Sequence, residues 1–177
     1  MDRAFWKDRT VLITGCTGFL GSWLTLRLID AGASVIGLVR DRVPVSNFFR
    51  SGLHNRITVV YGSVTDQQTL ERTINEYGAD TCFHLAAQAI VGTANRSPLS
   101  TFETNIAGTW TVLEAVRRSS TVKRIVVASS DKAYGSYHES SLPYTEDYAL
   151  RGEFPYDVSK TCCDLIAQCY ARPYFGN

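Results

Sequence analysis

The stretch Thr10-Val11-Leu12-Ile13-Thr14-Gly15-Cys16-Thr17-Gly18-Phe19-Leu20-Gly21 decides the fold. Its first five residues are β-branched or aliphatic and carry no charge, the composition of a strand buried on both faces. Three glycines at GxxGxxG spacing follow, and then a run with helical periodicity. Gly15 permits a tight turn, Gly18 lets the backbone approach a pyrophosphate, and Gly21 lets helix and sheet pack closely. A helix starting here offers unpaired N–H groups and positive potential to phosphates. The stretch predicts a strand, a phosphate cradle and a helix, with Gly15, Thr17, Gly18, Phe19 and Leu20 as candidate contacts to a dinucleotide.

Working outward, short β-branched runs alternate with longer amphipathic ones, the pattern of a doubly wound parallel sheet with helices on both faces. Further strands are expected over 34–39, 57–61, 80–85 and 123–129. The first helix is expected over 19–31, with Leu20, Leu24 and Leu28 on its inner face and Gly32 as a stop signal. A second helix over 66–77 has Thr65 or Asp66 as its cap. A third, over 98–118, turns Ile106, Trp110, Leu113 and Val116 inward, and a last helix runs from 155 to about 170. Residues 40–56, with Pro44, read as a loop holding at most one helical turn. The polar segment 131–154 reads as a loop bordering a site.

Bulk properties narrow the function. A chain of 177 residues, 45% hydrophobic, can form one domain over 1–177 with a proper core. Eighteen basic and seventeen acidic residues give a net charge of +1. That balance argues against nucleic-acid or membrane-surface binding, which need a one-sided basic field. The charged start reads as neither a secretory signal nor a membrane span, so the expected location is cytoplasmic. The five cysteines show no CxxC spacing, and the three histidines lie far apart. Neither a disulfide framework nor a metal site is expected.

A second constellation gives the cradle a chemistry. In Tyr156-Asp157-Val158-Ser159-Lys160 a phenol and an ammonium stand four residues apart on one helical face. A tyrosine with its ordinary pKa of ~10 needs a shift of ~3 units, roughly 4 kcal/mol, to act as a base at neutral pH. The lysine and an adjacent nicotinium ring both favour the phenolate. Ser130, at the end of the fifth strand, can bond the same substrate oxygen and complete a proton path. Cofactor choice stays open between NAD and NADP. An acid at the tip of the second strand would hold the ribose of NAD, whereas Arg40, arriving before Asp41, can pair with the extra phosphate of NADP.

These motifs, taken in order with His84-Leu85-Ala86-Ala87-Gln88, Thr104-Asn105-Ile106-Ala107-Gly108-Thr109 and Ser129-Ser130-Asp131-Lys132-Ala133-Tyr134-Gly135, resemble those of the extended short-chain dehydrogenases acting on nucleotide sugars. The glycine spacing is that of the short-chain group. Within it, Ser130-Asp131-Lys132 and the Leu-Ala-Ala-Gln run are most similar to the CDP-glucose 4,6-dehydratase type. The resemblance implies a Rossmann domain binding NAD or NADP and a nucleotide-sugar substrate. It implies that Tyr156, beside Lys160, takes the C4 hydroxyl proton while hydride leaves for the nicotinamide. Lys132 then removes the C5 proton, and Asp131 protonates the departing C6 hydroxyl. As a base, Lys132 has to be partly neutral through desolvation.

The resemblance further assigns Ser63 and Val64 to the adenine border, with serine where aspartate is usual. Leu85, Ala86, Ala87 and Gln88 go under the ribose and nicotinamide, and Thr104 goes to a ribose-side contact. It implies a homodimer through the helices beginning near Pro98 and Pro155. His84 is expected in the core, not in catalysis. Members of the group continue past the tyrosine–lysine helix, so the carboxy-terminal substrate domain is expected to be missing, with Phe175-Gly176-Asn177 a faint echo of a later strand end. An epimerase or reductase of the same group, or a catalytically idle dinucleotide-binding module, are the competing readings.

Overall fold

The computed structural model describes residues 2–175; the Gly176-Asn177 part of the terminal echo lies outside them. A short helix α1, Arg3–Trp6, capped by the Asp2 carboxylate, precedes the first strand β1, Thr10–Thr14. Helix α2 runs Phe19–Asp30 and strand β2 Ser34–Val39. The stretch that follows carries the short α3, Asn47–Arg50, and a 3₁₀ turn, Leu53–Asn55, before β3, Thr58–Tyr61. Helix α4, Gln67–Tyr77, is N-capped by Asp66, whose carboxylate accepts from the Thr69 N–H at 3.1 Å. The Thr69 hydroxyl, with that backbone bond second, holds the Asp66 carboxyl below its ordinary pKa. Strand β4 is Thr81–His84, and a helix not expected from the sequence, α5, covers Val91–Arg96.

The helix expected over 98–118 is interrupted. It consists of α6, Pro98–Phe102, a π-helical turn, Glu103–Ala107, and α7, Gly108–Arg118. Strand β5, Arg124–Val127, leads into a 3₁₀ turn, Asp131–Tyr134. Helix α8, Pro155–Tyr170, follows, with Pro155 in its first turn, where a missing N–H costs nothing.

The sheet is parallel, in the order β3-β2-β1-β4-β5. Its direction of winding reverses at β1, which pairs with β2 on one side and β4 on the other. Alternation along β1 explains the two cores. Leu12 points into a cluster with Ile36, Leu38, Leu70, Ile74, Cys82, Val112 and Val116. Val11 and Ile13 point into the other, with Leu28, Val35, Val39, Phe48 and Leu53. Each fully buried aliphatic side chain contributes about 2 kcal/mol, so this uncharged strand is fixed between helices on both faces.

Two inward assignments are corrected. Leu20 is 63% exposed, because the buried face of α2 is Gly21, Ser22, Thr25 and Leu28. Small residues are needed there, since the helix start lies close against the glycine turn. Trp110 is 47% exposed, while its neighbours Gly108 and Thr109 are buried. A Cβ on Gly108 would stand 2.6 Å from Val64. That face has no space for an indole.

Candidate active site

A groove of about 210 Å³ runs along the carboxyl ends of the strands. It is lined by Gly15, Thr17 and Gly18 after β1, Arg40 and Asp41 after β2, and Ser63 and Val64 after β3. Leu85, Ala86 and Ala87 after β4 and Thr104 from the π-helical turn complete the sequence-predicted residues on it. It lies where the winding reverses, the position at which open α/β sheets take their ligands.

The cradle fits a dinucleotide on steric and electrostatic grounds. Gly15 has φ +77°, and a Cβ on it would stand 2.7 Å from the Ala86 nitrogen. A Cβ on Gly21 would overlap the Gly15 carbonyl. Cys16 turns its side chain inward over Gly37, and burial raises its thiol to about 12, so it fills space as a neutral group. Helix α2 starts at Gly18 with no side-chain cap and no acid in its first turn. The N–H groups of Phe19 and Leu20 thus lack intrahelical partners and are available to an anion. The side chains of Phe19 and Leu20 are exposed, not part of the groove wall.

At the rim, the Arg40 Nε donates to the Asp41 carboxylate at 2.6 Å, with both side chains mostly in solvent. The two charges weighed against each other in the sequence therefore offset one another.

On α8, Tyr156 is half-buried and Lys160 buried, one turn apart. The Lys160 Nζ donates to the Ala128 carbonyl at 2.9 Å, at the end of β5. Burial holds this ammonium below its ordinary pKa. Ser130 caps the 3₁₀ turn: its hydroxyl accepts from the Lys132 N–H and donates to the Asp131 carboxylate, each at 3.2 Å. The Asp131 and Lys132 side chains are both exposed. The desolvation that a neutral Lys132 requires is not supplied by the surrounding described residues.

Gln88, Tyr156 and Lys160 stand off the groove wall, and Asn105 joins them to it. It lies in the π-helical turn and is 1% exposed. Its Oδ1 accepts from the Gln88 N–H at 2.7 Å, and its Nδ2 donates to the Gln88 carbonyl at 3.2 Å and to Ser159 Oγ at 2.8 Å. Ser159 in turn donates to the Tyr156 carbonyl at 2.6 Å. Both sides of the amide are thus satisfied between the loop after β4 and the helix of Tyr156 and Lys160. The π-helical turn leaves the Asn105 carbonyl to accept from Thr109 Oγ1 at 2.6 Å and Cys163 Sγ at 3.1 Å.

His84 belongs to the same network, in the core as expected. The Thr109 hydroxyl donates its proton to Asn105, so His84 Nε2–H donates to Thr109 Oγ1 at 3.2 Å. Nδ1 then accepts from Thr14 Oγ1 at 2.7 Å, and that oxygen accepts from the Ala86 N–H at 3.3 Å. A second ring proton would force the Thr14 hydroxyl to turn from donor to acceptor. Burial, with Lys160 nearby, lowers the imidazole to about 4. A lone asparagine inside an apolar helical run was the sequence signal for this network, since a buried amide requires partners.

Residues 12–175 match the family described as GDP-mannose 4,6 dehydratase. The chain belongs to this family. It is 35% identical over 177 residues to the CDP-glucose 4,6-dehydratase of Salmonella typhimurium, covering 99% of this chain and 49% of that one. Two solved structures are similar. One is the UDP-glucose 4-epimerase of Thermotoga maritima with UDP-glucose, at TM-score 0.83 and 29% identity over 93% of this chain and 52% of that one. The other is the dTDP-glucose 4,6-dehydratase of Streptomyces venezuelae with NAD bound, at TM-score 0.78 and 33% identity over 93% and 52%. The chain spans about half the length of these relatives. Among the described residues no helix is long and apolar enough to cross a membrane.

Proposed function

We propose that this chain is the cofactor-binding part, a single domain over 1–177, of a nucleotide-sugar 4,6-dehydratase acting on a CDP-glucose-like substrate with NAD. The observation that carries the reading is the meeting of two elements: Lys160, one turn from Tyr156, bonds the end of the strand that continues into Ser130-Asp131-Lys132. When bound, the nicotinamide accepts hydride from the sugar and returns it.

The protein's own residues handle the protons. Tyr156 takes the proton of the sugar hydroxyl, with Lys160 one turn away on the same helix. Ser130 bonds the same oxygen. Asp131 delivers a proton to the leaving hydroxyl, and Lys132 takes one from the adjacent carbon. Because both side chains are exposed here, the reading requires the sugar and the rest of the substrate site to exclude water from them. Binding energy from the nucleotide then orients the reacting carbons.

NAD is favoured over NADP because Asp41 offsets the Arg40 charge at the groove rim. Its ADP half contacts Gly15, Thr17, Gly18, Arg40, Ser63 and Val64 and the N–H groups of Phe19 and Leu20. Leu85, Ala86, Ala87, Gln88 and Thr104 support the nicotinamide half, with Tyr156 and Lys160. The working protein is a homodimer in the cytoplasm.

Incubating the protein that carries this chain together with its substrate-binding part, with NAD and CDP-, UDP-, GDP- or dTDP-glucose, tests the reading; the isolated chain should turn over little. The expected product is the 4-keto-6-deoxy sugar, formed from CDP-glucose fastest. A C4-epimerised sugar without loss of water would favour an epimerase, the reading supported by the likeness to the Thermotoga maritima enzyme. Cofactor binding with no turnover of any sugar would favour an idle dinucleotide-binding module.

A further inference from the structure

The turn that carries Ser130, Asp131 and Lys132 is fastened at both ends to α8. At its start, Ser129 Oγ donates to the Asp164 carboxylate at 2.6 Å. At its far end, Thr161 Oγ1 donates to the Ala133 carbonyl at 2.9 Å. With the Lys160 bond to Ala128, three side chains at i, i+1 and i+4 of one helix hold residues 128–133. The same Thr161 oxygen accepts from the Gly152 N–H at 3.1 Å, and the Ala133 carbonyl also accepts from the Arg151 N–H at 3.0 Å.

Thr161 is therefore a junction of three segments: the turn, the helix, and the strap 151–152 that precedes the helix. The junction tolerates no slack. A Cβ on Gly152 would stand 2.5 Å from the Asp157 backbone, and one on Gly135 would overlap the Arg151 carbonyl. Ala133 is buried, whereas Asp131 and Lys132 beside it are exposed and have no packing of their own to fix them.

We propose that Thr161 and Asp164 are positioning residues: from α8, the helix of Tyr156, they grip the turn by its two ends and fix the setting of Ser130, Asp131 and Lys132 relative to the phenol. Their action is indirect, through Ala133 and Ser129. This assignment rests on the dehydratase reading for its catalytic meaning but not for its geometry. Misplacing reacting groups by a fraction of an ångström lowers the rate of the chemical step without weakening the binding of the remote nucleotide.

The test compares Thr161→Val, which removes the hydroxyl at nearly constant volume, with Thr161→Ser, which keeps it. Backbone hydrogen exchange in the chain should speed up about tenfold at Ala133, Gly135 and Gly152 in Thr161→Val. β1 and β4 should be unchanged, and Thr161→Ser should restore protection. Unchanged protection in the valine variant, or equal loss in the serine variant, overturns the proposal. If Thr161→Val does not fold, Ser129→Ala releases the other end and is read by the same criterion at Lys132 and Ala133, whose N–H groups bond Ser130. In turnover of a nucleotide glucose, kcat should fall about tenfold at constant KM; a rise in KM at constant kcat overturns the positioning role. Absence of turnover in the unaltered protein carrying its substrate-binding part would sink the dehydratase reading, and the exchange data would then judge the grip alone.

Discussion

The phosphate cradle and the turn after β5 both sit at the carboxyl ends of parallel strands, but they are held by different physics. The cradle is fixed by exclusion: Gly15 and Gly21 leave no volume for a Cβ, and Cys16 is seated in the core. The turn is fixed by a few side-chain hydrogen bonds, and two of its three proposed catalytic residues stand in solvent. Between them lies the network of Asn105, His84, Thr109 and Ser159, fully satisfied and buried. Cofactor binding should therefore be a property of the backbone and sensitive to any added atom. Elimination should depend on single side chains that the fold can lose without cost.

The largest effect is expected at the cradle. Gly21→Val would drive a branched side chain into the Gly15 carbonyl, costing about 3 kcal/mol or more and abolishing NAD uptake. Thermal unfolding and calorimetric titration measure the two losses.

Next comes the network. Asn105→Leu conserves volume but removes the partner of the part-buried Gln88 N–H and carbonyl and leaves Ser159 Oγ with the Tyr156 carbonyl alone. The expected loss is about 3 kcal/mol in urea unfolding. A value under ~1 kcal/mol would show that the groove and the catalytic helix are not tied through this amide.

His84 gives the network a pH signature. Its folded pKa of about 4 lies below the ordinary 6.5, so between these values the unfolded chain binds more protons. The contribution is complete above pH 6.5 and is lost as pH falls toward 4, a change on the order of 3 kcal/mol. His84→Gln should flatten the slope of urea-measured stability in that window; an unchanged slope would remove His84 as its source.

The smallest effect on stability, and the largest on chemistry, is expected at the turn. Lys132→Met should leave unfolding and NAD affinity within about 0.5 kcal/mol of the unaltered chain, because the ammonium is exposed. In a turnover assay it should stop elimination. Elimination at the normal rate would remove Lys132 from the mechanism.

The sequence was legible where backbone sterics dictate the outcome. The run 10–21, the parallel sheet and the helix of Tyr156 and Lys160 follow from glycine spacing and period-2 and period-3.6 patterns. Legibility failed where an extra residue changes the phase. The π-helical turn at Glu103–Ala107 breaks what reads as one helix, and the buried face beside it takes Gly108 and Thr109 in place of Trp110. On α2 the apolar period marked Leu20, yet close packing at the glycine turn selected the small residues Gly21, Ser22 and Thr25. The segment 131–154 read as a polar loop bordering a site, with no packing of its own. It holds half-buried Tyr134, Tyr137, Tyr144 and Tyr148 against one another, with Arg151 4.0 Å above the Tyr137 ring. Such contacts depend on chain reversal and have no periodic signature.

The central claim is that the opening glycine turn and the groove beside it seat a dinucleotide within reach of the tyrosine–lysine helix. Calorimetric titration of the folded chain with NAD tests it most directly. Saturable binding of one NAD per chain, lost in Gly21→Val and kept in Lys132→Met, is the predicted result. No uptake of NAD or NADP by chain that is demonstrably folded would contradict it.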